Sequence, residues 1–157
     1  MKVKLIVIGK TKSKFLLDGE NEYQKRLRHY CKFSELITSD IKNAGKISKK
    51  ELKEKEGNLI LQSIKNNDYV ILLDDKGLAL SSTGFAEFLN KKMVSSFNEL
   101  VFIVGGAFGF SESVYKRANA KLSLSKMTFS HQMVRMIFKE QLYRAFTILK
   151  GEQYHHD

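Results

Sequence analysis

The chain has two short segments that are hydrophobic at every position, and these restrict its fold more than any other feature. Their sequences are YVILL at residues 69–73 and LVFIV at residues 100–104. A strand with one face in water alternates apolar and polar residues, whereas a parallel strand covered by helices on both faces is apolar throughout. The two segments therefore predict parallel strands inside an α/β fold.

The segments around these strands have the patterns of helices and further strands. Residues 13–30 place apolar side chains at the spacing of one buried helical stripe, and residues 82–94 are predicted to form a further helix. Ser48 and Glu51 match a capping box at the start of a Lys/Glu-rich helix that reaches about residue 64. Further strands are predicted at residues 1–9, 33–38 and 121–124, and a further helix at residues 111–120. This alternation favours an α/β fold with a largely parallel sheet flanked by helices.

Length and composition indicate one domain in a reducing compartment. The 157 residues include no proline, repeat or low-complexity linker, so we expect a single domain over residues 1–157. Cys31 is the only cysteine, which excludes an intramolecular disulfide and fits the cytoplasm. The apolar run at residues 1–9 is too short for a signal peptide, and no run approaches the ~20 residues of a membrane span. We expect a cytoplasmic protein without a membrane segment.

The charge of the chain is strongly positive and unevenly distributed. The sequence has 27 Lys and Arg against 17 Asp and Glu, a formal net charge of +10. Residues 1–66 contain 16 of the basic and 8 of the acidic residues. Such a concentration favours a polyanionic partner, and nucleic acid is the leading candidate. A charged surface that serves only solubility is the alternative.

The C-terminal segment at residues 122–149 predicts a short strand, a Ser/Thr-rich loop and one long amphipathic helix. Ser130 can cap the free backbone N–H groups that open this helix, so that the positive end of the helix dipole points into the loop. One face of the helix is apolar and predicts the buried side. The opposite face carries His131, Arg135, Lys139 and Arg144. We therefore expect a polar ligand where the loop meets the helix.

Three loops are predicted to meet at one edge of the sheet. In an open parallel sheet, ligands bind beyond the carboxyl ends of the strands, so the relevant loops follow Leu73, Val104 and Leu124. Two of them contain glycine, which allows the backbone to approach a ligand closely. The third offers the hydroxyl groups of Ser125 and Thr128. Each loop alone could be an ordinary turn, but together they predict a binding site.

Several common kinds of site do not fit these loops. The loop sequence GGAFGF matches neither the dinucleotide-binding nor the nucleoside-triphosphate-binding glycine motif, so a ligand without a phosphate fits better. Asp74 and Asp75 lack further ligands nearby, and we expect no metal site. His131 has no orienting acid close in the sequence, which disfavours a hydrolase triad.

One combination of motifs resembles a known family. The sequence IVGGAFGF, followed by LSLSKMTFSHQMVRMIFKEQLYRAF and a tail ending in YHH, closely resembles the small RlmH-type ribosomal RNA methyltransferases of the SPOUT superfamily. The opening KLIVIGK, the EYQKRL helix and the KEG segment around Glu56 and Gly57 extend the resemblance over the whole chain. It implies an α/β fold with a C-terminal trefoil knot, a rare exception to the rule against threaded chains.

The resemblance also implies an activity and its partners. Members of this family are homodimers that bind S-adenosylmethionine in the knot and methylate N3 of a pseudouridine in large-subunit (23S) ribosomal RNA on the assembled ribosome. This methyl donor has no phosphate, in agreement with the loop sequences. Met133, Met136 and Tyr143 form a second apolar stripe on the last helix that could contact a partner subunit, although core packing would explain them almost as well.

The resemblance further implies roles for individual residues. His155 is the first candidate to accept the N3 proton, Tyr154 could stack on or hydrogen-bond to the target base, and Arg135 is assigned both to the catalytic group and to RNA binding. Arg144 and Lys139 are further expected RNA contacts, although Arg144 could instead form an ordinary helix pair with Glu140. The implied cofactor contacts are Leu73, Gly105, Leu124, Ser125, Lys126, Met127, Thr128 and Phe129.

Two other functions are compatible with the same sequence. The first is a SPOUT methyltransferase that acts on tRNA or on another base of rRNA. Such an enzyme would modify free RNA. The second is a non-catalytic ribosome-binding or RNA-binding module, which the basic N-terminal half alone would support. Such a module would bind RNA without saturable binding of S-adenosylmethionine.

Overall fold

The computed structural model describes residues 1–155 as a five-stranded parallel sheet with helices on both faces. His156, part of the tail motif, lies outside the described residues. The strands are β1 (Lys2–Ile8), β2 (Lys32–Thr38), β3 (Tyr69–Ala79), β4 (Leu100–Val104) and β5 (Ala120–Ser123). The helices are α1 (Lys14–Leu27), α2 (Lys49–Gln62), α3 (Ser82–Met93), α4 (Glu112–Arg117) and α5 (Met133–Leu149), with a 3₁₀ turn at Ala44–Lys46. The strand order is β2-β1-β4-β3-β5, and every pairing is parallel.

The two hydrophobic strands lie side by side at the centre of the sheet, as their composition predicts. β4 pairs with β1 on one side and with β3 on the other. Phe102 of β4 packs in the core beneath α1, α3 and α5, where it contacts Phe138 with a ring-centre distance of 4.7 Å. Its neighbours Val101 and Ile103 point to the other face and pack with Ile60 of α2. Both faces of the sheet are therefore buried, and the α/β prediction is confirmed.

β3 is longer than the hydrophobic pattern predicts. The strand continues from Leu73 to Ala79, and a bulge between Leu73 and Leu78 lets both residues face Leu122 of β5. A Cβ atom added to Gly77 would lie only 2.6 Å from the backbone of Leu122, so any side chain at position 77 would collide with β5. The sequence pattern ends the strand too early because residues 74–77, which form the bulge, are polar or glycine, and the strand resumes its pairing with β5 only at Leu78.

Candidate cofactor-binding site

A cavity of about 640 Å³ opens at the carboxyl edge of the sheet, between the loops that follow β3, β4 and β5. Its size is in the range of sites for small molecules. The predicted convergence of the three loops is therefore confirmed. The expected cofactor contacts that line the cavity are Leu73, Gly105, Leu124, Ser125, Met127, Thr128 and Phe129. Lys126 belongs to the same loop, but it is exposed and lies outside the cavity lining.

The backbone of the loop after β4 forms one wall of this cavity. A Cβ atom on Gly105 would lie 3.0 Å from the ring of Phe110, and a Cβ atom on Gly106 would collide with the carboxylate of Glu56. Gly109 has a φ of +82°, a conformation that other residues rarely adopt. Side chains pack tightly behind the loop, so its peptide groups rather than side chains face the cavity at residues 105 and 106.

Glu56 is a buried carboxyl group behind this wall that the sequence patterns do not identify as part of the site. It is 8% exposed, on the inner face of α2. Burial raises the pKa of the Glu56 carboxyl above its ordinary value, and the negative charge of Asp40 adds to the effect. The KEG segment was the only signal in the sequence, and it came from the family resemblance.

Asp74 provides a negative charge in the cavity lining. Its Oδ2 accepts a hydrogen bond of 2.5 Å from the hydroxyl of Tyr115, and its Oδ1 accepts one of 2.8 Å from the backbone N–H of Lys76. Burial by itself would raise the pKa of Asp74, but these hydrogen bonds outweigh it and lower the pKa. Burial and the same carboxylate raise the pKa of Tyr115 to about 12. Asp74 is therefore ionised at neutral pH, with Tyr115 as a hydrogen-bond donor.

The start of α5 forms the opposite side of the cavity. Ser130 lines the cavity, and its Oγ accepts a hydrogen bond of 3.1 Å from the backbone N–H of Met133, the first residue of α5. The predicted hydroxyl cap is therefore present, but in the turn before the helix, since the N-cap position itself is occupied by Gln132. His131 also lines the cavity. Burial lowers the pKa of its imidazole, and the positive charge of Arg135 lowers it further. His131 is therefore neutral at pH 7.

Arg135 does not lie on an exposed polar face, contrary to the prediction from helical spacing. Its side chain is buried, and its guanidinium donates hydrogen bonds of 2.6 Å to the carbonyl oxygen of Ile8 and 2.8 Å to that of Gly9. A further bond of 3.1 Å goes to the carbonyl oxygen of His131. Arg135 thus joins the end of β1 to the start of α5, and burial removes it from the surface that RNA could reach.

Lys139 is buried in the same way, one turn further along α5. Its Nζ lies 2.7 Å from a carboxylate oxygen of Glu20 and 3.0 Å from one of Glu35, and Glu20 also accepts a hydrogen bond from Thr11. The expected exposure of Lys139 is therefore wrong. Helical spacing separated a polar from an apolar face correctly, but this polar face packs against two carboxylates from α1 and β2.

The predicted catalytic tail packs against α5 and does not line the cavity. The hydroxyl of Tyr154 donates a hydrogen bond of 3.2 Å to Glu140, and its ring packs on that of Tyr143 with a centre distance of 4.8 Å. Arg144 forms the expected pair with Glu140, at 2.6 Å, and contacts Nδ1 of His155 at 3.4 Å. Within one chain, the structure therefore brings these residues to one another but not to the candidate cofactor site.

Two further observations concern the described part of the chain as a whole. Among residues 1–155, no group of three or more His, Cys, Asp or Glu side chains is placed to hold a metal ion. None of the helices in this range is both long and apolar enough to cross a membrane.

Comparison with known proteins identifies the family. The family model described as "Predicted SPOUT methyltransferase" matches residues 1–155. The chain is 54% identical over 157 residues to the ribosomal RNA large subunit methyltransferase H of Parabacteroides distasonis, and the match covers 100% of both chains. It is 55% identical over 156 residues to the protein of that name from Flavobacterium johnsoniae, with 99% of each chain covered. The more distant protein of that name from Bacteroides fragilis is 45% identical over 157 residues, with both chains covered completely. The chain therefore belongs to the SPOUT methyltransferase family.

Proposed function

We propose that this protein binds S-adenosylmethionine in the cavity at the carboxyl edge of the sheet and methylates N3 of a pseudouridine in large-subunit ribosomal RNA. The observation that carries the proposal is the convergence of the three loops that follow β3, β4 and β5 around a cavity of about 640 Å³. The names of the full-length relatives support ribosomal RNA of the large subunit as the substrate.

The chemistry of the cavity fits this methyl donor. S-adenosylmethionine combines an adenine ring and a ribose with an amino acid and a sulfonium cation, and it has no phosphate. Leu73, Leu124 and Val134 offer apolar surface to the ring, and the peptide groups at Gly105 and Gly106 offer polar atoms for its edge. Ionised Asp74 supplies a charge opposite to that of the donor. When bound, the cofactor supplies the methyl group that is transferred.

The protein must also bring the target base to the cavity and assist the loss of the N3 proton. His155 is our proposed acceptor, with Tyr154 beside it to position the base. Because the tail packs away from the cavity of its own chain, we infer that the enzyme acts as a homodimer in which the tail of one subunit reaches the cavity of the other. Arg144 contacts both tail residues and is placed to orient them.

We also propose that the C-terminal part of the chain forms the trefoil knot of the SPOUT family. Family membership is the first support for this threading. The second is that the last two loops around the cavity precede and follow β5, the strand that pairs with β3 at the edge of the sheet. A knotted loop would hold the cofactor-binding backbone groups in a fixed arrangement before the ligand arrives.

A calorimetric titration with S-adenosylmethionine tests the cofactor site. We expect saturable binding by the wild-type protein and none by Gly105→Val, because the added side chain has no room beside Phe110. A thermal melt of the variant shows whether it is folded. Transfer of a labelled methyl group to unmodified ribosomes, mapped as a block to reverse transcription, then tests the substrate. Methylation of free rRNA or tRNA but not of ribosomes would contradict the proposed substrate, and folded protein without cofactor binding would contradict the activity.

A further inference from the structure

Exposed lysines lie at the edge of the sheet where the cavity opens, most of them on the side of β1 and β2. All strands are parallel, so the loops that follow β1 and β2 open at the same edge of the sheet as the loops of the cavity. Seven exposed lysines belong to these two loops, to the first turn of α2 and to the loop after β5, namely Lys10, Lys12, Lys42, Lys46, Lys49, Lys50 and Lys126. We call this set the lysine crescent.

Two contacts connect the lysine crescent to the cavity. The Nζ of Lys49 lies 5.0 Å from the ring centre of Phe108, a residue that lines the cavity. The backbone N–H of Lys12 donates a hydrogen bond of 2.9 Å to the side chain of Gln132, which follows His131 of the cavity lining. The positive surface therefore borders the opening through which a substrate must reach the cofactor.

The charge of the lysine crescent is not neutralised within the chain. Over residues 1–155, none of its seven lysines takes part in an ion pair, whereas Lys14, Lys55 and Lys116 do so elsewhere on the surface. Lys55 pairs with Glu51, and Lys116 pairs with Glu112, each at i,i+4 spacing on a helix. Unpaired like charges close together raise the potential at the opening and attract a polyanion.

Two members of the lysine crescent occupy positions that helix stability disfavours. Lys49 and Lys50 are the first two residues of α2, where the positive end of the helix dipole repels a cation and favours Asp or Glu. Solubility alone would be satisfied by lysines elsewhere on the helix. Their position at the opening of the cavity is explained by an anionic partner that binds there.

We propose that the lysine crescent docks the phosphate backbone of ribosomal RNA on either side of the target nucleotide. Lysine ammonium groups contact phosphate without reading the sequence of the bases, so this surface would supply affinity and orientation, and the cavity would supply the selectivity. The proposal rests on the proposed function, because it assigns the surface by which the substrate of that reaction is held.

The test compares two triple variants of equal charge. Lys42, Lys46 and Lys50 of the lysine crescent are replaced by Gln in the first variant. Within residues 1–155, none of their side chains takes part in an ion pair or a cation–π contact that the substitution would remove. In the control, Lys2, Lys32 and Lys65 are replaced by Gln. These three are exposed. Lys2 and Lys32 are the first residues of β1 and β2, and Lys65 lies in the loop before β3, so all three lie at the opposite edge of the sheet. For both variants we measure the melting temperature and the affinities for S-adenosylmethionine, for ribosomes and for a labelled single-stranded RNA.

We expect the crescent variant to bind ribosomes and RNA at least about tenfold more weakly than the control, with a salt slope smaller by roughly 2, while cofactor affinity is unchanged. Equal RNA affinity of the two variants would overturn the proposal. Loss of ribosome binding with unchanged RNA binding would also overturn it, because the surface would then contact a ribosomal protein. If the wild-type protein binds RNA through the crescent but no cofactor, the proposed function fails and the docking surface stands.

Discussion

Replacement of Lys139 by Met tests whether the buried ion cluster stabilises the fold. Lys139 is 1% exposed and lies between the carboxylates of Glu20 and Glu35, at 2.7 and 3.0 Å. Met has a similar length and no charge, so the substitution leaves two neighbouring carboxylates without their cation. Glu20 is 3% exposed, so water cannot replace the lost partner at that group.

The expected cost is that of a buried charge without its partner. Removing one member of a buried ion pair destabilises a protein by about 3–5 kcal/mol. In a protein of this size, a loss of 1 kcal/mol in the free energy of unfolding lowers the melting temperature by about 2–4 °C, so the melting temperature of the variant should fall by about 6–20 °C. Replacing Glu20 and Glu35 by Gln in the same variant should restore most of the loss, because neutral groups are much cheaper to bury than unpaired charges.

Thermal and urea unfolding measure this difference, with Lys116→Met as a matched control. Lys116 forms an ion pair of 2.8 Å with Glu112, but its side chain is 76% exposed. Exposed pairs contribute little, so the control should change the melting temperature by less than about 2 °C. If Lys139→Met is as stable as Lys116→Met, the reasoning about the buried cluster is refuted.

Three further predictions concern the site. Burial raises the pKa of Glu56 from its ordinary value of 4.5, so between these two values the folded protein binds more protons than the unfolded chain. The stability of the fold therefore falls as the pH rises from about 4.5 through the raised pKa. In urea unfolding between pH 4 and pH 7, Glu56→Gln should remove this part of the pH dependence, and an unchanged slope would exclude Glu56 as its source. Ser130→Ala should cost about 1 kcal/mol through loss of the helix cap, measured by urea unfolding, and weaken cofactor binding; equal stability would show that the cap is not needed. Tyr115→Phe should raise the pKa of Asp74 towards its usual range, observable by NMR titration of the carboxyl carbon; an unchanged titration would show that Tyr115 does not hold the carboxylate ionised.

The sheet and the position of the cavity were predictable from the sequence because both follow from local patterns. A strand that is hydrophobic throughout must be covered on both faces, and β4 has the predicted bounds of Leu100–Val104. Parallel strands place the loops after them at one edge, so the loops at Leu73, Gly105 and Leu124 had to meet. The cap at Ser130 is also a local feature, since donor and acceptor are three residues apart.

The roles of Arg135, Lys139 and Tyr115 were decided only by the tertiary structure. Helical spacing shows that a face of α5 is polar, but whether it meets water or buried carboxylates depends on α1 and β2, more than 100 residues earlier in the chain. The bond between Tyr115 and Asp74 joins residues 41 positions apart. A sequence pattern determines which side chains share a face, whereas the packing of distant segments determines what that face contacts. Packing therefore decided which charges are buried and which remain exposed to the substrate.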